Sequence, residues 1–277
     1  MKLPLFVLSI YLLNKSSLKT EKLGIIMMAS SVVVYVLEVR FDYNGKEDAL
    51  YPVILKNEYQ MILVDCGYAG FMSLIEDAAQ KQGLSLQELT GVFITHHDID
   101  HFGGLAELKN RYPALAVYSP VIEAPYISGK EKSVRLMQAE SLFESLPEDQ
   151  KPGALYFQEM LKNVQSVEVD AVFTEDDTFM DGVKIINTPG HMPGHVSLYV
   201  PESQTLIAAD ALVIEHDEFE IANPAFTLDL GAAVESVKKI KRLEVKRMIC
   251  YHGGITEEGI EAKLARLISR YPRPSFL

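Results

Sequence analysis

Short β-branched runs alternate with longer amphipathic stretches along the chain, and they do so in two successive rounds. Residues 32–41 are β-branched and aromatic and lead to Asn44-Gly45, which predicts a strand and a hairpin turn. Residues 51–56 and 60–65 continue as strands, the second ending at Asp65-Cys66-Gly67. Helical spacing then sets in over 71–82, with Leu74, Ile75, Ala78 and Ala79 on one face and Gly83 as the stop. A short helical piece at 86–89 precedes an apolar strand at 91–95. A helix over 102–112 ends at Pro113, and a strand over 116–119 follows.

The stretch 121–163 breaks this rhythm. Pro125, Gly129, Pro147, Pro152 and Gly153 punctuate two helical segments, 134–145 and 154–161, and the charges are mixed, so it reads as an insertion or lid. Strands return at 166–169, 183–187, 195–200 and 205–208. A helix at 230–243, a strand at 247–250 and a closing helix at 256–271 complete the second round. Strands followed by helices, twice over, predict two sheets stacked between helical layers.

Charge and termini narrow the picture. With 38 acidic and 26 basic residues the net charge is −12, which argues against an electrostatic nucleic-acid binder. The one basic stretch, 238–247, alternates with apolar residues and reads as a solvated helix face. Cys66 and Cys250 fall in separate predicted strands and read as buried free thiols. Residues 1–31 read first as a dispensable extension, with Met27 or Met28 as an alternative start. The second reading is a signal peptide or anchor, whose apolar run 3–13 is short for a membrane span. The expected location is the cytoplasm, with no membrane partner unless that segment is an anchor; oligomeric state is left open.

Candidate chemistry concentrates at Thr95-His96-His97-Asp98-Ile99-Asp100-His101, directly after an apolar strand. A loop at a strand end can aim His96, Asp98 and Asp100 at one locus while the turn into the next helix brings His101 round. Imidazole and carboxylate suit zinc, iron and manganese. Gly103-Gly104 is read as the device for a tight turn into the helix. Further on, Thr188-Pro189-Gly190-His191, Ala208-Ala209-Asp210 and Tyr251-His252-Gly253 each put a metal-competent side chain where a strand opens into a loop.

These elements, in this order and together with Asp65-Cys66-Gly67, resemble the metallo-β-lactamase superfamily over 32–277. The resemblance implies an α+β fold, a four-layer αββα sandwich with a two-metal site at one edge of the sheets. By position it implies His96, Asp98 and His191 at a first metal, Asp100, His101 and His252 at a second, and Asp210 bridging both. Asp98 departs from the pattern, which usually has histidine there; a shifted loop with His97 as ligand is the competing reading. The implied cofactors are two divalent ions, zinc first, with manganese or iron admitted by the extra carboxylate. Such ions lower the pKa of a shared water from about 15.7 to about 7, so that hydroxide can attack a carbonyl or phosphorus centre. Asp100 and Asp210 are the implied catalytic groups, Asp100 orienting the nucleophile and passing a proton.

Asp65 reads as a holder of neighbouring loops and His195 as a partner behind the ligands. His216 and Tyr126 are candidates to face a substrate, as is Lys130. The expected function is a dinuclear hydrolase of a small ester, thioester or lactone. Alternatives are a phosphodiesterase on the same fold, a flavodiiron-like redox protein, and a binding module with a degenerate site. Hydrolysis of β-lactams is disfavoured because Asp98 departs from that branch.

Overall fold

The computed structural model describes residues 31–43, 45–224 and 226–271, so the readings of residues 1–30 and of Asn44 lie outside the described residues. The first round of strands builds one sheet and the second round another. β1 (Val33–Val36) is followed by a ribbon of β2 (Val39–Tyr43) and β3 (Lys46–Leu50), then by β4 (Val53–Lys56) and β5 (Met61–Val64). The expected single strand over 32–41 breaks at Leu37, whose N–H turns to donate to the carbonyl of Pro52 at 2.8 Å. After α1 (Met72–Lys81) come β6 (Gly91–Phe93), α2 (Ile99–Phe102), α3 (Leu105–Arg111) and β7 (Ala116–Pro120). The stretch 121–163 forms α4 (Ala124–Ile127), α5 (Val134–Leu142) and α6 (Lys151–Lys162), and α6 carries Pro152 in its first turn, where proline is tolerated.

β8 (Ala171–Phe173) pairs parallel with β7, whereas the strand expected over 166–169 is absent. There Val167 donates to the carbonyl of Ile127 at 3.0 Å, and Val164, Val167 and Val169 pack on the core, so their alternation reflects burial under α4 without a ladder. The second sheet is built from β9 (Lys184–Asn187), β10 (Val196–Val200), β11 (Thr205–Ala209), β14 (Arg247–Cys250) and β15 (Gly254–Thr256). Between β11 and β14 lie a small ribbon, β12 (Val213–Glu215) and β13 (Glu218–Glu220), and α7 (Leu230–Ile240); α8 (Ile260–Ser269) closes the described chain. No helix among the described residues is long and apolar enough to cross a membrane.

The period-2 pattern of each strand sorts its side chains between layers. Val53 and Leu55, Ile62 and Val64, and Phe93 face the second sheet, where they meet Val196, Leu198, Val200, Ile207 and Ile249. Ile54, Leu63 and Val92 point the other way, onto Ile75, Ala78, Ala79, Leu105 and Leu108 of α1 and α3. Leu206, Ala208, Met248 and Cys250 face α7 and α8 through Val234, Val237, Leu264 and Leu267. The result is helix, sheet, sheet, helix: the expected αββα sandwich. Cys66 and Cys250 are buried free thiols, as expected.

Gly103 and Gly104 separate α2 from α3 where one helix was expected over 102–112. Both adopt right-handed φ values, −58° and −79°, so conformational freedom is not what they supply. A Cβ on Gly104 would lie 2.4 Å from the carbonyl oxygen of Cys66, and backbone proximity is the reason for glycine. Gly104→Ala is expected to lose about 1–3 kcal/mol of stability by overpacking, read as a lower urea midpoint of the metal-free protein.

Candidate metal centre

The candidate ligands, with Asp65 behind them, emerge from strand ends at one edge of the sandwich. Asp65 follows β5, His96, Asp98, Asp100 and His101 follow β6, His191 follows β9, Asp210 follows β11, and His252 follows β14. Two of these junctions are strained: Asp65 has φ +59° and Ala209, just before Asp210, has φ +46°. Left-handed conformations in residues with a Cβ cost on the order of 1–3 kcal/mol and persist where the surroundings over-determine them. At Ala209 the strain accompanies a register shift between β11 and β14.

The side chains converge into three overlapping groups, each with its ligand atoms within 4.8 Å of one another: His96, Asp98 and His191; His96, His101 and Asp210; and Asp100, His101 and His252. Asp210 faces both sides. Its Oδ2 lies 3.5 Å from His191 Nε2 and 3.6 Å from His252 Nε2, and its Oδ1 lies 3.3 Å from His101 Nε2. Asp100 Oδ2 is 3.0 Å from His252 Nε2. Buried His96 Nε2, His101 Nε2 and Asp210 Oδ1 have no hydrogen-bond partner. Buried polar atoms left orphaned are rare, and here they point into one locus made of imidazole and carboxylate, which fits divalent cations.

The other ring nitrogens are held from behind. Asp65 accepts from Thr95 N and Thr95 Oγ1, both at 2.8 Å, and its Oδ2 takes the Nδ1–H of His101 at 2.8 Å, leaving Nε2 of that ring for the locus. His195 Nε2 accepts from the backbone N–H of Asp210 at 3.0 Å, and its Nδ1 meets Thr188 Oγ1 at 2.9 Å. Burial, with help from His191, pushes His195 down to about 3, so it stays neutral. Burial also lowers His252, yet Asp210 and Asp100 outweigh it and raise that imidazole to about 9 in the metal-free protein. Burial disfavours charge on Asp98 as well, and the Arg135 guanidinium more than offsets it and holds the carboxyl well below its usual range.

The family model described as the metallo-beta-lactamase superfamily matches residues 53–252. The chain belongs to the metallo-β-lactamase superfamily. The protein named "Probable metallo-hydrolase YflN" of Bacillus subtilis is 28% identical over 240 residues, covering 80% of this chain and 86% of its own. Among solved structures, a metallo-beta-lactamase family protein of Thermus thermophilus matches with a TM-score of 0.66 at 21% identity, over 86% of this chain and 78% of its own. AidC, a dizinc quorum-quenching lactonase with a product bound, matches with a TM-score of 0.54 at 21% identity, over 76% of this chain and 75% of its own. The fold and the family make this chain a metal-dependent hydrolase.

Within this metallo-β-lactamase fold, several expected residues fall elsewhere. His97, the competing ligand, is in none of the three groups; its Nδ1 binds the buried carboxylate of Glu123, and its ring stacks on Tyr126 at 4.4 Å. Tyr126 therefore braces His97 and does not line the cavity over the site. His216 sits exposed in the turn between β12 and β13 and is not among the residues lining that cavity, and Lys130 pairs with Glu168 at 2.9 Å.

The structure also brings in residues that sequence reasoning missed. Glu123 accepts from His97 N at 3.0 Å and from Gly194 N at 2.7 Å, tying the histidine-rich loop to the Pro/Gly turn that carries His191. Tyr251 donates to the carbonyl of Asp100 at 2.7 Å, and its ring lies 3.9 Å from that of His101. Arg135 binds Asp98 through two nitrogens. Nothing in the local spacing singles out Glu123 or Arg135, since both lie in 121–163 among other charges.

Two outcomes follow from this scaffolding. Asp65→Asn, which tolerates the left-handed backbone but loses the carboxylate, is expected to fold and to bind metal about 10–100-fold more weakly by chelator competition. Glu123→Ala strands buried donors of two loops and is expected to lower stability by about 3–5 kcal/mol, measured by chemical denaturation.

Proposed function

We propose that this protein is a dinuclear hydrolase acting on a small, uncharged ester, thioester or lactone. The observation that carries the reading is the position of Asp210, one carboxylate facing both His191 and the His101–His252 side, at the floor of a cavity of about 520 Å³. Tyr43, Tyr68, Phe157, Phe226, Val213 and Ile214 give that cavity a largely apolar wall. Its charged rim is acidic, with Asp48 and Glu215. Arg135 is the only lysine or arginine among the described residues lining it, and that guanidinium is already engaged with Asp98. Such a wall suits an acyl chain or lactone ring and offers a phosphodiester no free side-chain cation beyond the metal locus itself.

In this reading His96, Asp98 and His191 would hold one cation, Asp100, His101 and His252 would hold the other, and Asp210, which faces both groups, would serve both. Zinc suits the donor set, and manganese or iron also accept it. Two bound cations would supply hydroxide at neutral pH and neutralise the oxyanion that forms. Asp100, 3.0 Å from His252 and facing the cavity, orients the nucleophile and carries a proton towards the leaving group. The likeness to AidC, itself a lactonase, supports the lactone arm, and the phosphodiester arm has no such support in the cavity's charge.

The test is a panel of lactones, thioesters, p-nitrophenyl esters and bis-p-nitrophenyl phosphate, run with zinc-, manganese- and iron-loaded protein beside Asp210→Ala. Turnover of a neutral carbonyl substrate is expected, falling at least about 100-fold in the variant together with metal content. Cleavage of the phosphodiester alone, or unchanged turnover in Asp210→Ala, would overturn the assignment.

A further inference from the structure

The departure at Asp98 has a partner on the insertion. Arg135, in the first turn of α5 and 2% exposed, lays its fork against the carboxylate: Nε donates to Oδ1 at 2.9 Å and Nη2 to Oδ2 at 2.7 Å. Its other donors are also taken. Nη1 reaches the carbonyl of Phe226 at 2.5 Å and Oε1 of Gln138 at 2.6 Å, and Nη2 lies 3.3 Å from His191 Nε2. The guanidinium rests over the Phe226 ring at 5.3 Å. The preceding residue is docked in the same way, since Val134 N donates to His97 Nε2 at 3.3 Å. Consecutive residues of the histidine-rich loop, His97 and Asp98, thus grip consecutive residues of α5.

This geometry has a charge consequence. A carboxylate at position 98 adds a full negative charge to a buried pocket that already holds Asp210, and burying like charges together is costly. A bidentate guanidinium cancels that charge and fixes the carboxylate plane, while a carboxylate oxygen has lone pairs to spare beyond the one a single N–H takes. Asp98 Oδ2, the atom 2.8 Å from His191 Nε2 and 3.6 Å from His96 Nε2, is the one that faces the first ligand group.

We propose that Asp98 and Arg135 act as one neutral unit that takes the place of a histidine at the first metal, with Arg135 as a positioning residue contributed by the insertion. This rests on the two-metal reading above. It follows that Asp98 is needed because Arg135 is there. Histidine at 98 would leave a buried guanidinium unpaired beside the cation site, and removing the guanidinium as well would relieve it.

The test compares wild type, Asp98→His and the double variant Asp98→His/Arg135→Leu. Bound zinc is counted by elemental analysis, and affinity and geometry are read by chelator competition and by the cobalt(II) absorption spectrum. Wild type is expected to take two ions. Asp98→His is expected to keep the ion held by Asp100, His101 and His252 while binding the first at least about tenfold more weakly, and the double variant to regain most of that loss. If the single variant is too unstable to purify, soluble yield and melting temperature serve for the same comparison, with the double variant expected to exceed the single. An Asp98→His protein that binds both ions like wild type, or a double variant no better than the single, overturns the pairing alone. Fewer than two ions in wild type overturns the two-metal reading, and the pairing with it.

Discussion

Three carboxylates, Asp98, Asp100 and Asp210, converge on the same few buried imidazoles, and the rest of the site is arranged around making that crowding tolerable. In a low-dielectric pocket each of these charges is costly unless another group answers it. Asp98 is answered by Arg135, Asp100 by His252, and Asp210 by His101, His191 and His252. His96 Nε2 and His101 Nε2 face the same locus without a hydrogen-bond partner, which leaves them free for a divalent cation.

Holding those groups in place is a task shared by both sheets. His96 to His101 come from the first sheet, and His191, Asp210 and His252 from the second, so their spacing depends on the apolar layer that presses the sheets together. Phe93 lies in that layer three residues before His96. Local braces then set direction: Asp65 across β5 and β6, Glu123 between the two histidine loops, and Tyr251 under His101. The strained φ angles at Asp65 and Ala209 lie at strand ends where these braces act. The helical stretch 121–163 joins the same system, because α5 delivers Arg135 to Asp98 and α6 delivers Phe157 to the cavity wall.

Where periodicity misled, the cause was a competing use of the same pattern. Val167 and Val169 alternate with polar neighbours, yet they pack on the core without pairing into a strand. Gly103-Gly104 reads as a tight-turn device, and the structure uses Gly104 for close backbone approach to Cys66.

From the sequence by itself came the alternating strands, the helical faces, and a set of histidines and aspartates at strand ends whose order resembles one superfamily. Those features are local: a period of two or 3.6 and a ligand type beside a strand end can be read within a dozen residues. Among the described residues the seven implied ligands do meet, in overlapping groups. Only the tertiary structure decided that His97 turns away to Glu123, that Tyr126 braces it, that His216 lies off the cavity, and that Asp98 is matched by Arg135. Each of those outcomes depends on contacts 26 to 37 residues apart, or on which face of a loop turns inward, and no local pattern encodes such distances.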